Sequence, residues 1–241
     1  MSDKARAELA PTGVLRAGVN LSNFLLVTGR SANGDPEGVS PDMAAAIAAA
    51  LGVPVKYVPF KTPGELGDQV GQNAWDIGLI GAEPARAQKI TFTAAYVEIE
   101  ATYLVPAGSP LKSVAEVDSK GVRIAVSARS AYDLWLERNI KNATLMRTEG
   151  LDGALNLFIN DKLEAMAGLK PRLLSDVQKV PGARILDGKF TAVQQAIGTA
   201  KTNEAGAAFL RSFVEDAKKS GLVKSLIEKH KVVGLSVAPP G

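Results

Sequence analysis

The stretch at residues 75–86, WDIGLIGAEPAR, constrains the fold more than any other in this chain. Residues 77–80 form an unbroken apolar run rather than an alternating one. That is the pattern of a parallel strand buried on both faces. The run breaks at Gly81, and Glu83 followed by Pro84 reads as the cap and first residue of a short helix. Arg86 falls in the first turn of that helix, just past the C-terminal end of the strand, where open α/β sheets bind ligands. A guanidinium there, beside exposed backbone N–H groups, suits a carboxylate held by two hydrogen bonds. The plainer alternative is an exposed helix arginine with no ligand role.

Strand and helix patterns alternate along the rest of the chain, which predicts α/β architecture. Residues 15–19 read as a first strand, 34–38 as a turn and 41–51 as a helix with Met43, Ile47 and Leu51 on its core-facing stripe. Gly52 ends that helix. A second strand over 53–58, a helix over 62–73 and the strand at 77–80 follow. After the extended residues 101–105, the Pro/Gly-rich PAGSP at 106–110 punctuates the chain. A second set of βα units then begins. Its strands fall at 122–126, 144–147, 165–167 and 183–186, and its helices at 130–139, 151–161 and 171–179. An apolar stretch over 192–200 leads to two terminal helices, 203–220 and 222–231, the first with Phe209, Phe213 and Ala217 on an apolar stripe. Residues 239–241, PPG, read as a tail. Two similar α/β sets predict two lobes.

The chain has 241 residues, enough for one large domain or two of moderate size. Lysine and arginine (28) nearly balance aspartate and glutamate (25), no basic run is long, and aromatics are only 5%, so nucleic acid is not an expected partner. There are no cysteines, which excludes disulfides, thiol catalysis and cysteine-based metal sites. His230 is the only histidine and sits in a lysine-rich helix end, where it reads as a solvated residue complementing the helix dipole. A Ser-His-Asp triad or multi-histidine metal site would rest on it alone, so no metal or cofactor is expected. No apolar stretch reaches the length of a membrane span, and the first residues, MSDKAR, lack the apolar region of a signal peptide.

Four stretches in this order resemble the solute-binding proteins of polar amino acid ABC transporters (family 3). They are GVLRAGV at 13–19, EGVSPDMAAAI at 37–47, DIGLIGAEPAR at 76–86 with ITFTAAY at 90–96, and IGTAKTN at 197–203 running on to Leu222. The resemblance covers residues 15–231. It implies a periplasmic binding protein-like type II fold, with two Rossmann-like lobes at residues 1–104 plus 198–241 and at 105–197. Hinge strands would lie near 102–105 and 195–199. It also implies a periplasmic, monomeric receptor, its leader absent from this sequence, that closes on a small carboxylate-bearing ligand (an amino acid or related organic acid) and delivers it to an ABC transporter membrane permease.

The resemblance carries site roles onto matching positions. Arg86 would clamp the carboxylate, with the N–H of Gly81 beside it, since glycine replaces the usual hydroxyl residue. Ser130 falls where a hydroxyl and a helix N-terminus complete the anion site, and also reads as a plain N-cap. Arg129 replaces a small residue. Phe60 aligns with an aromatic that stacks on the ligand, or packs in the core. Asn23 and Phe24 fall on the first loop facing the cleft. Two positions depart from the pattern: Leu169 stands where relatives hold the aspartate that meets an α-amino group, and Asn20 where an acid often follows the first strand. These imply a ligand without an ammonium group, unless Glu98, Glu100 or Asp133 supplies the acceptor. A cyclohexadienyl dehydratase-like enzyme shares the fold but needs a general acid near position 169, and Leu169 transfers no proton. A LysR-type effector domain also has two lobes. About a dozen residues precede the first strand here, too few for the helix-turn-helix of a complete regulator.

Overall fold

The computed structural model describes residues 3–241. The chain forms two compact units, one made of the residues up to Glu98 together with Gln194–Gly241, the other of Ile99–Val193. In the first, α1 (Asp3–Leu9) leads into β1 (Leu15–Asn20). A small hairpin, β2 (Gly29–Arg30) and β3 (Pro36–Glu37), precedes α2 (Val39–Leu51). Next come β4 (Val55–Phe60), α3 (Pro63–Asp68), β5 (Ile77–Ala82), α4 (Pro84–Ala87) and β6 (Ile90–Phe92). The long strand β7 (Val97–Val105) carries the chain into the second unit. That unit holds α5 (Val114–Val117), β8 (Arg123–Ser127), α6 (Ala131–Asn139), β9 (Thr144–Thr148), α7 (Gly150–Asn160), β10 (Ala165–Leu169), α8 (Lys170–Asp176), a 3-10 turn at Val177–Lys179 and β11 (Arg184–Ile185). The return strand β12 (Thr191–Ala200) leads to α9 (Glu204–Lys219), α10 (Leu222–Lys229) and β13 (Ser236–Val237).

Both units follow one plan. In the first, β1 pairs in parallel with β4 on one side and β5 on the other, and β12 runs antiparallel along β5. In the second, β8 pairs in parallel with β9 and β10, and β7 runs antiparallel along β10. Each is therefore a mixed sheet whose first strand is central. A polar device recurs too. The N–H and the guanidinium of Arg16 on β1 each reach Asp76 at 2.8 Å, just before β5. The N–H and guanidinium of Arg123 on β8 each reach Glu164 at 2.9 Å, just before β10. Each acid ties the first strand to the third at their N-terminal ends, charge-assisted and in fixed register. The duplication is invisible as a sequence repeat because only the plan and these pairs are shared.

Packing explains why β1 and β5 carry glycines. A Cβ at Gly78 would lie 2.8 Å from Leu66, and one at Gly18 3.3 Å from Leu66 and Trp75. The indole of Trp75 covers these positions and donates to the Leu66 carbonyl at 2.9 Å. The stripe Met43, Ile47 and Leu51 of α2 is fully buried, and Gly52 ends the helix at φ 70° with its N–H returned to the last turn. On α9 the buried stripe is Leu210, Val214 and Ala217, with Phe209 and Phe213 packed partly exposed beside it. Ala217 lies on the expected stripe, while Leu210 and Val214 take the buried places expected of Phe209 and Phe213.

Other expectations shift as well. The helix expected over 62–73 stops at Asp68. Gly71 (φ 74°) and Asn73 (φ 59°) are left-handed, which a helix does not tolerate. His230 is not a free solvated residue. Its Nε2 lies 2.7 Å from Asp42 in the first turn of α2, as does Nζ of Lys229. Burial pushes the Asp42 carboxyl up, but these two partners outweigh it and leave it below its ordinary value. The C-terminal residues are held rather than trailing. The Ala238 N–H donates to the Tyr96 carbonyl at 3.1 Å, and Nζ of Lys218 to the Pro239 carbonyl at 2.8 Å. No helix among the described residues is long and apolar enough to cross a membrane.

Candidate functional site

In the first unit, the parallel strands β4, β1 and β5 present their C-terminal ends together. Asn20, the last residue of β1, is in register with Phe60, the last of β4. Gly81 lies near the end of β5, and Arg86 follows in α4. The sequence-predicted residues of this unit thus gather at one edge, where α/β sheets bind ligands. Arg86 is buried, 8% exposed, rather than exposed on the helix surface. Its Nη1 donates to the Gly81 carbonyl at 2.8 Å, fixing the guanidinium over the strand end. The Glu83 carboxylate caps α4, accepting the N–H of Ala85 at 3.1 Å and the N–H of Arg86. Pro84 takes the first helical position, where a missing N–H costs nothing.

Asn20 is anchored by its oxygen. Oδ1 accepts from the Ser22 N–H at 3.1 Å and the Ser22 hydroxyl at 2.7 Å. Asn23 is buried, and its Oδ1 takes the N–H groups of Leu25 and Leu26, shaping the loop after β1. Phe24 on that loop is 37% exposed. Phe60 packs partly buried against a cluster of Leu66, Trp75, Ile80 and Ile90, so it has a packing role whatever else it meets.

In the second unit, Leu169 ends β10, and Ser130 follows the end of β8 by three residues. Ser130 is the N-cap of α6: its Oγ accepts the Asp133 N–H at 3.2 Å and donates to the Ser127 carbonyl at 2.9 Å. Its one hydroxyl proton is therefore already directed. Arg129 sits left-handed at φ 62°, unusual for a residue with a Cβ. Its N–H donates to Asp133 at 2.8 Å. Asp133, 1% exposed, also takes Nε of Arg147 at 2.9 Å. The S-x-x-D spacing at 130–133 carries a helix-cap signature, the one signal in the sequence that reveals this arrangement. Tyr132 is buried, and burial pushes its phenol up to about 12, so the O–H stays protonated.

Leu169 is buried and apolar, in register with Ala101 of β7. Beside it, Nζ of Lys170 lies 3.6 Å from Glu100, which also meets Lys189 at 3.8 Å. Of the acids named as replacement amine acceptors, Glu100 and Asp133 are thus engaged by cations. Among the described residues, no group of three or more histidine, cysteine, aspartate or glutamate residues could hold a metal ion, and every buried side-chain nitrogen and oxygen has a hydrogen-bond partner.

The sequence profile of the bacterial extracellular solute-binding proteins, family 3, matches residues 16–232. No curated protein sequence matches. Among solved structures, a putative ABC transporter binding component from Wolinella succinogenes, complexed with lysine, is 22% identical, with a TM-score of 0.74 over 90% of this chain and 95% of that one. The cysteine-binding protein of Campylobacter jejuni is 16% identical, with a TM-score of 0.75 over 94% and 92%. The ancestral amino acid-binding protein AncCDT-1, a precursor of cyclohexadienyl dehydratase, is 22% identical, with a TM-score of 0.73 over 93% and 98%. These likenesses show the type II periplasmic binding protein fold. With the profile covering most of its length, the chain belongs to the bacterial extracellular solute-binding proteins, family 3.

Proposed function

We propose that this chain is the receptor of an ABC importer, that it binds a small carboxylate-bearing ligand, and that it catalyses no reaction. The observation carrying this reading is Arg86, a buried guanidinium fixed by the Gly81 carbonyl at the C-terminal end of β5. Its fork matches a carboxylate bidentately. The Gly81 N–H, Ser130, Asn20, Phe60 and Leu169 are proposed to contribute the remaining contacts, and the two units to close around the ligand by a hinge in the strands that join them. The absence of catalysis rests on Leu169, an apolar side chain where a dehydratase of this fold needs an acid.

A thermal-shift screen of amino, keto and aromatic acids tests the reading, because a ligand that binds only the folded chain raises its melting temperature by mass action. The acid found is then titrated into wild type and Arg86→Ala. Removing one partner of a buried charge pair costs about 2–5 kcal/mol, and a loss of that size is expected. Unchanged affinity removes Arg86 from the site. Prephenate and arogenate are expected to pass through unaltered, and turnover of either makes the chain an enzyme.

A further inference from the structure

The groups at the strand ends differ sharply in what they leave unspent. Both hydrogen bonds to the Asn20 side chain end on Oδ1. One comes from the Ser22 backbone N–H, a donor only, which fixes which side-chain atom is oxygen. Among the described residues nothing takes up the amide nitrogen of Asn20, and it can only donate. Leu169 contributes no polar atom. Glu83 spends its carboxylate on the α4 cap, Asp133 on Arg147 and the Arg129 N–H, and Glu100 lies between Lys170 and Lys189. An ammonium needs up to three acceptors, and a buried one left uncompensated is strongly unfavourable.

Resting on the carboxylate site proposed above, we infer that the ligand carries no ammonium group. It is a small keto, hydroxy or dicarboxylic acid whose second polar group accepts a hydrogen bond from Asn20. Arg86 holds the acid and Asn20 reads the neighbouring oxygen. An amino acid of the same skeleton would turn its ammonium toward the Asn20 amide, donor against donor.

The test is calorimetric titration of three matched pairs, pyruvate with alanine, α-ketoglutarate with glutamate, and phenylpyruvate with phenylalanine. Each is run on wild type, Asn20→Asp, Leu169→Asp and Arg86→Ala. At least one keto acid is expected to bind wild type about tenfold or more tighter than its amino partner, a gap of about 1.4 kcal/mol per decade. Asn20→Asp preserves the oxygen that Ser22 uses, so its fold is retained, and it should narrow or reverse the gap. Leu169→Asp, at another position of the proposed site, should do the same. An amino acid binding wild type more tightly than its keto partner overturns the inference, and loss of that binding in Glu98→Gln would name the acid responsible. An unaltered preference in both aspartate variants overturns it as well. Failure of the underlying site looks different: no acid binds wild type, or binding survives Arg86→Ala undiminished, and the inference falls with it.

Discussion

Burial changes what a single residue can do, and Arg86 is the clearest case. An exposed arginine spends its five donors on water, whereas this one is buried and donates from Nη1 to the Gly81 carbonyl. Arg86→Lys should therefore also bind the acid weakly in a titration, because one ammonium does not reproduce the fork. The sequence placed Arg86 correctly past a strand end but could not decide its exposure, which depends on how α4 folds back. The reverse error occurred at His230, where a lysine-rich surrounding masked a partner, Asp42, from a helix far away in sequence. Acid sensitivity belongs to this scale too. The Arg123 guanidinium holds the Glu164 carboxyl below its ordinary value, and Lys229 and His230 outweigh burial to do the same for Asp42. A carboxylate whose folded pKa is depressed stabilises the fold above its unfolded pKa, and that contribution disappears as pH falls through the folded value. Stability by urea denaturation should hold near neutrality and fall below about pH 4. Glu164→Gln should flatten that fall, and a slope unaltered in this variant would show that the pair contributes nothing.

Helices with strong periodicity and clear caps were legible as elements. The core stripe of α2, its Gly52 stop and the Glu83–Pro84 start of α4 follow from local chemistry alone. α1, the β2–β3 hairpin and β13 were not, because each is short and held by tertiary contacts. α1 carries only Ala5 and Leu9 inward. Gly38, before α2, shows such a constraint: its φ is 147°, and a Cβ would lie 2.3 Å from the Leu26 carbonyl oxygen. Backbone does not move aside as a side chain does, so Gly38→Ala should destabilise by more than about 2 kcal/mol in denaturant melts, through combined strain and clash. A near-neutral result would mean that the loop after β1 relaxes freely. The α6 start makes a gentler prediction. Ser130→Ala removes the cap and should cost about 1 kcal/mol. A larger loss would mean that the Ser130–Ser127 bond also holds the turn after β8.

At the scale of the whole molecule, the alternating pattern read from the sequence indicated a two-lobed α/β chain, and the profile match over residues 16–232 places it in its family. What could not be read was the shared plan of the two units, because Arg16–Asp76 and Arg123–Glu164 are equivalent in space and not in spacing or surrounding sequence. The proposed selectivity was legible only in outline, since it turns on hydrogen bonds already spent, such as those on Asn20 and Asp133, which no spacing reveals. If the units close on a ligand, small-angle scattering should record a smaller radius of gyration at saturation than without ligand, and an unchanged radius would argue against hinge capture. The central claim, a carboxylate receptor built on Arg86, is tested most directly by calorimetric titration of the screened acid into wild type and Arg86→Ala side by side. The account predicts one ligand per chain in wild type and an affinity loss of about 2–5 kcal/mol in the variant. Equal affinity in the two proteins would contradict it.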